Sequence, residues 1–260
     1  MKSIKMFALV ALLLTAAFGS TAFINTRLLK TVAKSENKGF AVVELFTSEG
    51  CSSCPPADQL IAKIQKEDAD KPVYILAFHV DYWNSLGWKD GFSSADYSKR
   101  QRDYASYLHL ESVYTPQAVV NGKTEFVGSE EGTLRGAIQK SLSKTPEAKL
   151  TISAPAPIGN KLPIAYTTEG ANKTTSLLIA MVEKNAQTKV ERGENGGRTL
   201  SHVQIVRKLQ KVNLNTASGS TVIALPPDFD ARSWEVIGIL QDTSTGEITA
   251  AAKMEPGVNS

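Results

Sequence analysis

Cys51-Ser52-Ser53-Cys54 holds the only two cysteines of the chain, and it lies where the local pattern changes. Before it runs an apolar, β-branched stretch, Ala41-Val42-Val43-Glu44-Leu45-Phe46-Thr47. After it, Cys54, Ala57, Leu60, Ile61 and Ile64 recur at helical spacing. The pair therefore falls where a strand hands over to a helix. A helix first turn carries free N–H groups and the positive end of the dipole, and these stabilise a thiolate. The expectation is an exposed, nucleophilic Cys51 with a lowered pKa, and a resolving Cys54 one turn on, turned toward the core. Pro55 and Pro56 fit the same start, because first-turn residues have no intrahelical N–H bond to lose.

Two other chemistries use such a pair. Half of a zinc site is one, but structural zinc takes four Cys and His ligands, and only His79, His109 and His202 remain to complete a set, none at paired spacing. A structural staple is the other, yet so short a loop contributes only about 2 kcal/mol by chain entropy. A chain of 260 residues buries a core without that help. Redox exchange is the stronger reading, and it needs no dissociable cofactor.

The chain's balance of charge bears on its partners. Net charge is +3, and setting aside Lys2 and Lys5 of the leader leaves 27 basic against 26 acidic residues, or +1. That near-neutrality argues against nucleic acid. Residues 1–22 read as an export signal: a basic start, a short apolar run, then small residues with Ser20 and Ala22 before a cleavage point at Phe23. The run is short for a transmembrane helix, so contact with a membrane is expected only if the segment stays uncleaved. Residues 23–39 read as a linker. The expected location is outside the cytoplasm, periplasmic or secreted, where disulfides are made and shuffled.

From residue 40 the pattern is regular. A strand over 41–47, the CxxC helix to about residue 68 and an apolar strand over 73–80 form a strand–helix–strand unit. Residues 81–94, with Trp83 and Trp88, read as an ordered loop. Ser94 caps a helix to about residue 108, on whose face Arg100 and Arg102 read as solvated. Asn121-Gly122 joins strands over 118–120 and 124–127, and a last helix follows Ser129.

The order β-α-β-α-β-β-α, the Cys51/Cys54 motif and Thr115-Pro116 ahead of the third strand resemble the thioredoxin fold. The resemblance implies a cis Pro116 lying against the disulfide, with the Thr115 backbone free to bind an extended substrate. A closer likeness rests on four stretches: residues 44–58 through Cys51 and Cys54, His79-Val80-Asp81-Tyr82-Trp83 with Gly87-Trp88-Lys89-Asp90, Tyr114-Thr115-Pro116-Gln117, and residues 192–198. Together they resemble an exported thioredoxin-like family catalogued as a domain of unknown function. The chain departs from ordinary thioredoxins in its Ser-Ser dipeptide, in Gly50 before Cys51, and in placing Glu44 one residue off the position of their buried acid, on the other face of a regular strand.

Further candidates surround the motif. His79 and Asp81 share a face near a strand end, placed either to tune the thiols or simply to satisfy local hydrogen bonds. Glu44 is a third candidate for tuning. Trp83 and Trp88 read either as a platform for a peptide or as packing for a long loop. After Leu150 the helical period ends. Strands over 148–153, 162–168, 174–183, 189–192, 203–214, 221–225, 234–241 and 247–253 suggest an immunoglobulin- or fibronectin-like β-sandwich, with domains at 40–146 and 147–260. The glycine-rich loop 192–198 reads as a plain connection, or as cover for the thiol site or a partner contact. His202 stands alone. The expected function is thiol–disulfide exchange through Cys51 and Cys54, with protein or small-molecule thiols and disulfides and a redox partner protein as partners. The alternative is a copper- or zinc-binding module, or a non-catalytic scaffold.

Overall fold

The computed structural model describes residues 39–254, which belong to one compact unit. The export-signal and linker readings, 1–22 and 23–39, lie outside the described residues but for Gly39.

Strand β1 (Ala41–Thr47) leads through the cysteine loop into α1 (Pro55–Glu67), and β2 (Val73–His79) returns parallel to β1. A 3-10 turn (Tyr82–Leu86) and α2 (Ala95–Tyr107) follow. Next come β3 (Gln117–Val120), β4 (Thr124–Val127) and α3 (Glu131–Leu142), with β3 antiparallel to both β1 and β4. The β3–β4 hairpin turns on Asn121 and Gly122, both at positive φ (50° and 68°), as an Asn-Gly turn requires. Gly122 has a second reason to be glycine: a Cβ there would sit 1.9 Å from the Gly246 carbonyl oxygen.

The second half is all strand: β5 (Lys149–Ser153), β6 (Lys161–Glu169), β7 (Thr175–Lys189), β8 (Thr199–Asn213), β9 (Ser218–Ala224), β10 (Trp234–Asp242) and β11 (Ile248–Met254). These strands do not close into a sandwich of their own. Four of them join the first half in one eight-stranded mixed sheet of order β11-β10-β7-β8-β2-β1-β3-β4, while β5, β6 and β9 form a separate three-stranded sheet. The seam is narrow: β8 meets β2 in parallel through the Ala77–Ile205 pair.

The expected architecture, an α/β thioredoxin-like domain followed by an immunoglobulin- or fibronectin-like sandwich, is therefore corrected. The chain is mostly β, with a large mixed sheet and three α-helices among the described residues. The reason lies in burial. Strands β10 and the first part of β7 are buried almost without interruption. One face of them, Leu177, Ile179, Met181, Val236 and Leu240, packs on the three-stranded sheet. The other, Leu178, Ala180, Val182, Ile237 and Ile239, shares a core with Val42, Phe46, Phe78 and Tyr104 from the first half. An apolar run marks a strand buried on both faces but does not say which element covers the second one. The separate strand expected over 189–192 is absent; 15-residue β7 runs through to Lys189.

The sheet's other face carries the third core, where Ala57, Leu60, Ile61 and Ile64 of α1 and Leu134 and Ile138 of α3 cover Val43, Leu45 and Ala77. This layer brings the start of α1 to the ends of β1 and β2.

Candidate functional site

Cys51 and Cys54 are joined in a disulfide with a Cα–Cα separation of 5.4 Å. Helix α1 starts at Pro55, with Cys54 as its N-cap and two prolines in its first turn. Cys51 precedes the helix in a turn whose carbonyl accepts the Cys54 N–H. Both cysteines are 0% exposed. Cys54 thus faces inward as expected, whereas the exposed Cys51 of the sequence reading is covered.

The cover comes from several places. The Ser53 hydroxyl lies 3.4 Å from Cys51 Sγ and donates to the Thr115 carbonyl at 3.4 Å, so Thr115 and Pro116 stand beside the disulfide. The Thr115–Pro116 bond is cis. Trp83 Nε1 donates to Thr115 Oγ1 at 2.9 Å, and its Cβ would lie 3.1 Å from a Cβ added at Gly50, closer than ordinary packing. Trp83 is half-buried, holding the Thr115 turn through its indole N–H. From the second half, Asn195, fully buried, donates through Nδ2 to the carbonyls of Glu49 and Cys51, both at 2.9 Å. Glu194 accepts the Ser52 N–H at 3.0 Å, and this contact with Ser52 holds its carboxyl below the ordinary range. The 192–198 loop is therefore brought onto the thiol site.

Next to the cysteine loop lies a buried ionisable cluster, Glu49, Asp58, His79, Asp90 and His202, joined to it through Glu49 in the loop and Asp58 one turn beyond Cys54. His79, at the end of β2, bonds through Nδ1 to Asp90 Oδ2 at 2.7 Å, and Asp90 also accepts the N–H groups of Glu49 and Phe92. Burial opposes charge on His79, but the Asp90 carboxylate and its hydrogen bond, helped by Asp58 and Glu49, outweigh it and hold the imidazolium above its usual 6.5. Burial likewise opposes the Asp90 carboxylate, and the His79 charge with these hydrogen bonds pulls it below 3.8. His202, on β8, stands between two carboxylates, with Nε2 3.6 Å from Glu49 Oε1 and Nδ1 3.6 Å from Asp58 Oδ2. These are ion-pair distances, too long for hydrogen bonds. His79 Nε2, both His202 ring nitrogens and Glu49 Oε1 are buried without a hydrogen-bond partner. Asp58 is one helical turn beyond Cys54, its N–H bonded to the Cys54 carbonyl, so the two side chains are neighbours on α1.

Not every candidate joins this cluster. Asp81 turns to α2, accepting the Ser98 hydroxyl at 2.5 Å. Glu44 sits on the face of Val42 and Phe46, where Arg100 grips both its oxygens at 2.6 and 2.7 Å. Arg100, read from sequence as solvated, is mostly covered in that pair, its side chain 11% exposed. Trp88 donates to Glu49 Oε2 at 2.7 Å. Among the described residues, no group of three or more His, Cys, Asp or Glu side chains is arranged to hold a metal ion. Sequence reasoning missed Glu49, Asp58 and Asp90, although each lies inside a stretch that carried the family likeness. His202 had no signal at all, because its neighbours come from the other half of the chain.

No curated protein matches this chain. Among solved structures it is similar to protein AGR_C_4864 from Agrobacterium tumefaciens, with 27% identity, a TM-score of 0.64, and 85% of this chain and 95% of that one covered. It is similar in fold to HBP35 of Porphyromonas gingivalis, with 16% identity, a TM-score of 0.60, and 84% and 76% covered. The model of a family described as protein of unknown function (DUF1223) matches residues 42–241, and the chain belongs to that family.

Proposed function

We propose that the protein is a thiol–disulfide oxidoreductase working through Cys51 and Cys54, outside the cytoplasm. The observation that carries this reading is the disulfide itself, closed across two residues at the junction of β1 and α1 with the Thr115–Pro116 turn beside it. As a staple it adds little: a loop this short is worth about 2 kcal/mol, against a described core that spans both faces of an eight-stranded sheet. In the reductive direction a partner thiolate attacks Cys51 Sγ, the Cys51–Cys54 bond breaks, and Cys54 leaves as a thiolate. A second thiol of the partner then resolves the mixed disulfide and releases Cys51. The partner dithiol is oxidised to a disulfide, and the pair takes up two electrons and two protons. His202, within ion-pair distance of Glu49 and of Asp58, the residue one turn beyond Cys54, is the group we propose to carry one of those protons. The export-signal pattern of residues 1–22 supports an oxidising compartment, and protein or small-molecule thiols with a redox partner protein are the matching partners.

The test is the reduction potential of the pair, read by equilibrating the protein in glutathione buffers, alkylating free thiols and counting them by mass. A reversible two-electron transition between about −120 and −270 mV is expected. A pair still oxidised below about −300 mV overturns the reading in favour of a structural bond.

A further inference from the structure

Three consecutive residues of the turn between β7 and β8 pack on the first half, two of them directly on the disulfide loop. Gly193, at φ 76°, lies against Trp88, where an added Cβ would come within 3.2 Å of the Trp88 Cβ. Glu194, exposed to solvent, receives the Ser52 N–H. Asn195 reaches in behind it, spends both amide hydrogens on the Glu49 and Cys51 carbonyls, and accepts Arg198 Nη1 on Oδ1 at 2.6 Å. The turn is a compact unit. Gly196 N–H bonds to Gly193 O, Arg198 N–H to Asn195 O, and Gly197 N–H to Val190 O. Gly193 and Gly197, both at positive φ, bound it. Its contacts fall on the backbone on either side of Cys51, and both cysteines are 0% exposed.

We propose that the 193–197 turn is a strap that closes the Cys51–Cys54 site and must lift before a thiol can reach either sulfur. The inference deepens the exchange reading by making access, not only potential, a property of the β7–β8 turn. Exchange then runs through a minor open state, and its rate scales with the population of that state. Each hydrogen bond of the strap is worth about fivefold in that population. Removing the two made by Asn195 should raise it about 30-fold.

The experiment is stoichiometric reduction of the purified oxidised protein by excess dithiothreitol. One dithiothreitol thiolate attacks, the second closes the reagent into its cyclic disulfide, and two protein thiols appear, counted by alkylation and mass. Wild type should react at least tenfold more slowly than the same chain unfolded in guanidinium. Asn195→Ala should be about 30-fold faster than wild type, and Glu194→Ala, an exposed change that removes one strap bond and leaves the buried anchor in place, about fivefold faster. Circular dichroism establishes that each variant is folded; if Asn195→Ala is not, Glu194→Ala decides. Folded variants that react at the wild-type rate, or a wild type as fast as the unfolded chain, overturn the strap. This outcome is separable from that of the exchange reading. A pair whose potential is structural can still be unsealed by these variants, and a pair with an exchange potential can prove indifferent to them.

Discussion

Two buried polar networks lie on opposite faces of the same sheet, and they are built differently. On the α2 face, Glu44 holds Arg100 through both carboxylate oxygens and accepts the Tyr104 hydroxyl, while Gln241 ties Arg100, Tyr104 and the Gly246 carbonyl together. Every polar side-chain atom of that set is partnered, and Arg100 also stacks over Phe78 and Tyr104. On the α1 face, Glu49, Asp58, His79, Asp90 and His202 leave four buried side-chain atoms without a hydrogen bond. A closed network holds elements in place. An open one carries a desolvation cost with no matching bond, and it keeps groups able to take or give a proton. The open network is the one beside the disulfide.

The largest test of this contrast is Arg100→Met. It strands the Glu44 carboxylate in the core and should cost about 3–5 kcal/mol in urea unfolding, with the midpoint of the disulfide unmoved. A shifted midpoint would join the two networks and break the comparison.

Asp90→Asn should cost about 2 kcal/mol near neutral pH, because a charge-assisted hydrogen bond is lost at full burial. It also carries a pH signature. The His79 pKa is raised in the folded state, so its contribution is complete below 6.5 and fades as pH rises through the folded value. The Asp90 pKa is lowered, so its contribution is complete above 3.8 and fades as pH falls through the folded value. Stability measured against pH in wild type should show both flanks, and the variant should flatten them. Retained flanks would assign the dependence to other groups.

His202→Gln should cost about 1–2 kcal/mol, since the buried imidazole makes no hydrogen bond but stands within ion-pair distance of Glu49 and Asp58 and packs edge-on against His79 and Phe92, and it should move the disulfide midpoint. A loss above about 3 kcal/mol would make His202 a structural anchor of the Glu44 kind. The smallest effect belongs to the surface. Lys63→Ala removes the exposed pair with Glu131 and should cost no more than about 0.5 kcal/mol, a baseline for the other three.

Much of the site was legible before the fold. The cysteine pair and the proline start of α1 stand out as local patterns, Thr115–Pro116 comes from the family resemblance, and the loop at 192–198 reads as a connection with cover of the site as its alternative. Glu49 and Asp58 flank the motif, but a carboxylate in a loop or on a helix reads as solvated until something covers it. Arg100 failed in the same way: its helical position says which residues are its neighbours along α2, not that β1 and β10 close over it.

By itself the sequence determined the elements. Apolar runs, the helical spacing after Cys54, the Asn121-Gly122 turn and the proline pair act over a few residues, and most strands and helices lie close to where those signals put them, the long β7 being the exception. Only the tertiary structure decided which elements share a sheet and which side chains share a site. Strand β8 takes β2 as its neighbour through the Ala77–Ile205 pair, and that choice carries His202 to Glu49 and Asn195 to Cys51 across more than a hundred residues of chain. The physical reason is that burial is non-directional and strand pairing is non-local. A strand apolar on both faces requires two covers, and nothing in its own residues specifies which part of the chain supplies the second.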